Sequence, residues 1–271
     1  MKNRELKLSI FYDHIITGAE QRGISKIKAA EMVKDMGINF VDINSKFLIG
    51  SDQDSIEYLN NSGLKIGCIC YECNLSSESN YNSEIAIIDM ASELDVKEIL
   101  ILLGLLQEDS KEEQIDNMIQ GINEICKYAQ TKNVTLGIET YDNAGSPLSG
   151  NGVVSFLNRC EALKCVFDTG NFAFWDEDEI EYAKILSDKV MHVHLKDRAL
   201  VQHNSEQAVC SVKGRKLYPS SVGDGIIKIR EIIEILKSIG FDGFYSIEHY
   251  GAEDMFDYMQ KSVDWIYKFN Y

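Results

Sequence analysis

The chain has 271 residues, and its 43 acidic against 27 basic side chains give a formal charge of −16 and a pI near 4.7. A field of that sign repels phosphate backbones and argues against nucleic acid as a partner, while leaving room for a phosphorylated metabolite on a local basic patch. Seven cysteines, an odd number, no signal-peptide core after Met1 and no run of 18 apolar residues together predict a cytoplasmic protein with reduced thiols and no membrane span.

Short β-branched runs alternate with helical patterns along the whole chain. Strands are expected at Lys7–Tyr12, Asn39–Ile43, Lys65–Cys70, Glu98–Leu103, Val134–Glu139, Lys164–Asp168, Val190–Leu195 and Phe244–Glu248. Ser25 is placed to cap the first helix, although Lys28 stands where a capping box would have Glu. Gly37, Gly63 and Gly240 each follow a helical pattern and precede a strand, as left-handed C-caps do. Cys70 and Cys73 have C-x-x-C spacing, but no second pair completes a zinc site, so ordinary half-buried thiols are expected there.

Further along, the third helical pattern carries Ile85, Ile88, Ala91 and Leu94, and the fourth has Ile115, Met118, Ile119, Ile122, Ile125, Cys126 and Ala129 on one stripe. The seventh carries Ile229, Ile232, Ile233, Leu236 and Ile239, and the eighth Met255, Phe256, Met259, Val263 and Ile266. Segment 196–225 reads as an extended loop, whose Lys213, Arg215 and Lys216 are a solvated cluster or, alternatively, a phosphate grip. Most strand starts recur at intervals of one βαβ unit, and no glycine-rich dinucleotide fingerprint follows the first strand. The fold class is therefore α/β, a single-domain (β/α)8 TIM barrel over 1–271, with Pro147 and Pro219 the sole prolines and no linker to divide it.

Alternation along each strand selects the residues that face the barrel interior. Glu139, Asp168, His194 and Glu248 all fall on the inward face, at the C-terminal rim where barrel enzymes place their chemistry. Three acids and an imidazole brought together there desolvate and repel one another unless a cation neutralises them. His192 lies one layer deeper and is expected to be a hydrogen-bonded core residue.

The segments Leu136-Gly-Ile-Glu-Thr140, Phe167-Asp-Thr-Gly-Asn171, His192-Val-His-Leu-Lys-Asp197, Gly223-Asp-Gly225 and Ser246-Ile-Glu248 resemble the xylose isomerase-like superfamily. Within it, the chain looks like the sugar or sugar-phosphate isomerase/epimerase branch that includes tagatose 3-epimerase. The resemblance implies one divalent ion (Mn²⁺, Mg²⁺, Co²⁺ or Zn²⁺) on Glu139, Asp168, His194 and Glu248. The two glutamates would then be the acid/base pair. An O₃N donor set independently suits a hard or borderline ion.

It further implies a small-molecule sugar or sugar phosphate as substrate, proton transfer through a metal-bound cis-enediolate, and a homo-oligomer, since dimers and tetramers are common among the relatives. Asn171 departs from the family, which commonly has His there; an amide hydrogen-bonds a sugar hydroxyl but ligates a metal poorly. Lys196, Arg198, Asn171 and His14 are candidate substrate contacts, each with a structural or solvated role as its alternative. The rival functions are a keto-inositol-type dehydratase on the same site, a metal-dependent hydrolase or endonuclease, and a non-catalytic sugar-binding barrel. The nuclease relatives need a three-zinc cluster with histidines that this chain lacks, and a non-catalytic barrel would be expected to have lost a glutamate.

Overall fold

The computed structural model describes residues 6–49, 54–77, 80–107, 109, 111–203 and 205–269. In chain order the strands are β1 (Lys7–Phe11), β2 (Phe40–Asn44), β3 (Lys65–Cys73), β4 (Glu98–Leu103), β5 (Thr135–Ile138), β6 (Lys164–Asp168), β7 (Val190–Ala199), β8 (Val209–Cys210), β9 (Lys216–Ser220) and β10 (Phe244–Glu248). All but β8 and β9 are parallel to their barrel neighbours, and β10 pairs with both β1 and β7, so the eight-stranded sheet closes. The helices are α1 (Tyr12–Arg22), α2 (Lys26–Asp35), α3 (Asp54–Ser62), α4 (Asn82–Glu93), α5 (Lys111–Thr131), α6 (Gly150–Arg159), α7 (Asn171–Trp175), α8 (Glu179–Leu186), α9 (Ile229–Ser238) and α10 (Met255–Lys268). This is a single-domain (β/α)8 barrel, with all eight strands where periodicity placed them. Among the described residues no helix is long and apolar enough to cross a membrane.

The outward face of each strand supplies the main core. Ile10, Val41, Ile69, Leu136, Phe167, Val193 and Ile247 are buried there with the helix stripes, including Met118, Ile122 and Ile125 of α5. Ile239, expected on the α9 stripe, is 52% exposed because the helix ends at Ser238. Ser25 caps α2 by accepting from the Lys28 amide, and Gly37, Gly63 and Gly240 all have positive φ.

A separate apolar cluster of Phe11, Cys68, Cys70, Leu100 and Val166 lies in the barrel interior, with Met191 packed against it. With His192 and His194 inward, strict alternation along β7 would put Met191 on the outward face. The register corrects this: Cys165 pairs with Val190 and Val166 with His192, so Met191 is an extra residue in β7 and turns toward Gly137. The C-x-x-C thiols separate for a related reason. Residues three apart on a strand face opposite sides, so Cys70 joins the interior cluster and Cys73 the helix layer.

Segment 196–225 is more ordered than its polar sequence suggested. Strand β7 continues to Ala199, and β9 returns antiparallel to it with β8 beyond. Asp197, 1% exposed, anchors this return: its carboxylate accepts from the amides of Arg198, Gly223, Gly225 and Ile227 at 2.8–3.1 Å. A Cβ on Gly225 would collide with that carboxylate, so the Asp and the G-x-G spacing are parts of one structure.

Candidate metal centre

Glu139 follows β5 directly, Asp168 ends β6, His194 lies within β7 and Glu248 ends β10. Strand register sets Asp168 and Ser246 level with His194. One donor atom from each of the four residues lies within 4.8 Å of all the others. His194 Nδ1 is 2.9 Å from Glu139 Oε2 and 3.3 Å from Glu248 Oε2. Asp168 Oδ1 accepts from the amides of Gly170 and Asn171, both at 2.8 Å, while Oδ2 lies 3.3 Å from Lys196 Nζ. Lys196 Nζ is 2.6 Å from Glu248 Oε1 and donates to Asn171 Oδ1 at 2.9 Å. The Asn171 amide is itself oriented by a 2.6 Å bond from Nδ2 to the Thr140 carbonyl.

The charges in this cluster are not balanced by its own cation. Burial, with the neighbouring glutamates, pushes the Asp168 carboxyl up to about 8 despite Lys196. Burial raises Glu139 as well, whereas for Glu248 the ammonium of Lys196 and the His194 ring outweigh burial and hold the carboxyl well below its usual range. His194 is raised well above 6.5 by Glu139 and its neighbours in spite of burial. The upward pressure on the Asp168 and Glu139 carboxyls marks an excess of negative charge, which a divalent ion would neutralise. Three carboxylates and one imidazole suit a hard or borderline ion, so the residues fit the group that the motifs imply.

Beneath this layer His192 donates from both ring nitrogens at 2.7 Å, from Nε2 to Asp42 Oδ2 and from Nδ1 to Glu98 Oε2. The carboxylates outweigh the cost of burial and raise the ring to about 10. This is the satisfied core role expected of His192. Asp42 Oδ2 is also 3.4 Å from His194 Nε2, which links the two layers and places a carboxylate behind the upper imidazole.

A cleft of about 370 Å³ opens above the cluster. Glu139 and Glu248 line it, whereas Asp168 and His194, both 0% exposed, lie behind them. Asn171, Lys196 and Arg198 also line it, and Arg198 Nη2 is 2.7 Å from Asp142 Oδ2. His14 does not reach the cleft. Its Nε2 accepts from the His249 amide at 3.0 Å, and the residue before it, Asp13, forms the wall together with Tyr250. Strand-end counting missed Asp13, Asp142 and Tyr250 because each lies beyond its strand, Asp13 in the first turn of α1 and the other two in connecting segments. It also missed Asp42, an inward residue whose histidine partners come from β7.

Of the basic loop residues, Arg215 bonds to Asp176 Oδ1 at 3.1 Å and to the Ala173 carbonyl. Lys213, Arg215 and Lys216 are not part of the cleft lining. Hairpin β8–β9 instead contributes Val209 to the wall.

Curated relatives include an inosose dehydratase of Geobacillus thermodenitrificans, 25% identical over 143 residues (51% of this chain, 47% of that protein), and one of Bacillus cereus, 27% identical over 146 residues (51% and 47%). The chain spans about half the length of the curated relatives it matches. Among solved structures, D-psicose 3-epimerase from Clostridium cellulolyticum, crystallised with D-tagatose, superposes with a TM-score of 0.72 over 97% of this chain and 99% of its own, at 16% identity. The IOLI protein, solved with a zinc atom, also gives 0.72, over 98% and 99%, at 16% identity. At such identities these structures support the fold alone. The family model for the xylose isomerase-like TIM barrel matches residues 30–269, and the chain belongs to that family.

Proposed function

We propose that the protein is a divalent-metal-dependent isomerase or epimerase of ketose-type sugars, with Glu139 and Glu248 as its proton-transfer pair. One observation carries this reading. Of the four ligand-type residues, the two glutamates line the cleft and the other two are sealed behind them. A divalent ion held by Glu139, Asp168, His194 and Glu248 would supply Lewis acidity toward a carbonyl and its neighbouring hydroxyl, which acidifies the adjacent C–H.

The chain's own groups do the rest. One glutamate takes the proton from carbon, as a positioned general base does. Return of a proton from the other glutamate to the opposite face gives an epimer, and return to the neighbouring carbon gives an isomer. Lys196 holds Glu248 ionised and, with Asn171 and Arg198, offers hydrogen bonds to substrate oxygens. Phe11, Leu100 and Leu102 give the cleft an apolar part.

A dehydratase is the second reading, favoured by the similarity to inosose dehydratases over half of the chain. Both reactions begin with the same proton abstraction and diverge when a β-hydroxyl leaves. Metal-loaded protein incubated in D₂O with ketoses and keto-inositols, followed by NMR, separates them. Deuterium beside the carbonyl in an epimer or aldose supports the isomerase, and loss of water supports the dehydratase. Full activity in either Glu139→Gln or Glu248→Gln would sink the two-carboxylate chemistry.

A further inference from the structure

Beyond the end of β1 the cleft has a polar corner that the ligand cluster does not use. Asp13, in the first turn of α1, and Tyr250, two residues after Glu248, both line the cleft there. The Phe11 ring lies against both the corner and the cluster, with its centroid 5.4 Å from that of Tyr250 and 4.9 Å from that of His194.

Asp13 is oriented by two neighbours. The Tyr250 hydroxyl donates to Oδ2 at 2.9 Å, and Oδ1 lies 3.3 Å from His14 Nδ1. The other nitrogen of the His14 ring decides where its proton sits. Nε2 accepts the His249 amide at 3.0 Å, so it carries no hydrogen, and the fully buried ring has its N–H at Nδ1, against Asp13. The His14 and Tyr250 rings also meet edge to face, 4.4 Å apart at 86°.

The segment that carries Tyr250 is itself bound to α1. Gln21 Nε2 donates to the Ala252 carbonyl at 3.1 Å, the Met255 amide donates to Gln21 Oε1 at 2.8 Å, and Arg22 pairs with Asp254 at 2.9 Å. A wall residue fixed by such supporting contacts is preorganised for a ligand.

A carboxylate has about four acceptor positions. His14 and Tyr250 occupy two of them, and the Asp13 side chain stays 26% exposed on the cleft lining. The ammonium of Lys46, on the same lining, supplies the opposite charge. The group that completes Asp13 is therefore a neutral donor, and a hydroxyl meets that requirement.

We infer that Asp13 is a second anchor for the substrate, accepting from a hydroxyl remote from the carbonyl, and that His14 is a positioning residue acting through it. This rests on the proposed function for placing the carbonyl at the ligand cluster, while the hydroxyl contact does not depend on proton transfer.

The test is calorimetric titration of the full-length, Mn²⁺-loaded protein with D-fructose, D-tagatose and D-psicose. At least one should bind, and Asp13→Ala should weaken that binding by about 10–100-fold, as loss of a hydrogen bond to a charged group does. His14→Leu should weaken it in the same direction. His14→Gln, whose amide can both accept from His249 and donate to Asp13, should bring it back to within about threefold of the wild type. Metal content should stay at the wild-type level in all three, since none of these residues belongs to the ligand cluster. No binding by any of the three sugars, wild-type affinity in Asp13→Ala, or loss of the metal together with the sugar overturns the inference. His14→Gln as weak as His14→Leu overturns the positioning role. If Asp13→Ala does not fold, Tyr250→Phe removes a hydroxyl that orients the same carboxylate, and unchanged affinity there overturns the anchor. Solvent-deuterium exchange on the same samples is independent. Binding that depends on Asp13 without exchange would sink the proton-transfer reading and leave the anchor standing, whereas exchange with no dependence on Asp13 would do the reverse.

Discussion

His192 and His194 are two residues apart on β7, both fully buried, their rings 5.4 Å apart, and each lies between carboxylates. Their surroundings nevertheless differ in kind. His192 has one carboxylate on each nitrogen at 2.7 Å and no opening to the cleft. His194 directs Nδ1 to two glutamates that both line the cleft. The same residue types thus make a closed ion-paired layer below and, above it, the cluster proposed as a metal site, of which the two glutamates reach the cleft. Access and the number of converging carboxylates, more than histidine chemistry, distinguish the two layers.

The largest effect expected from this contrast is in the upper layer. Glu139→Gln and Glu248→Gln should each lower turnover by about 10²–10⁴-fold, the range for loss of a positioned acid or base, with near-native thermal stability. Progress curves and a melting scan check both halves of that statement.

The next comparison exchanges the two histidines. His192→Ala leaves Asp42 and Glu98 unpaired inside the barrel and should cost about 3–5 kcal/mol in urea unfolding, as breaking buried pairs does. His194→Ala should instead weaken divalent-metal binding at least 10–100-fold, measured by metal analysis after dialysis, since even outer-shell partners contribute that much. A His194→Ala variant that keeps its metal while His192→Ala loses it would reverse the assignment of the layers.

A smaller loss is expected at the loop that closes the rim. Asp197→Ala strips the acceptor from four amides and should cost at least about 2 kcal/mol, read from the unfolding midpoint. The substitution should also loosen β9, seen as faster amide exchange at Tyr218 and Ser220, which pair with β7.

The smallest effect concerns the thiols between and around the layers. Burial pushes Cys73 and Cys126 up to about 12, and the other cysteines except Cys210 are also buried. An aromatic disulfide at pH 8 should therefore titrate Cys210 quickly in the native protein, with that fast phase absent from Cys210→Ser and all seven thiols reacting after denaturation.

Much of this molecule is legible in its amino-acid sequence. Eight β-branched runs separated by 3.6-residue stripes led to the barrel, because binary patterning is set by which face each residue must bury. Parity along four strands led to Glu139, Asp168, His194 and Glu248, because a strand cannot turn a side chain to its other face without a bulge. Met191 shows the limit of that rule: a single extra residue in β7 reverses its side, and nothing local announces it.

The remainder was decided by contacts between distant segments. Asp42 meets His192 across 150 residues, Asp13 meets Tyr250 across 237, and Arg198 meets Asp142 across 56. Each side chain alone reads as an ordinary polar residue. Its role as ring partner, wall or cation clamp arises from what barrel closure sets opposite it, which depends on strand order and tilt more than on any window of sequence. The sequence alone determined which residues could meet at the rim, and the tertiary structure decided which of them face the cleft and which support it from behind.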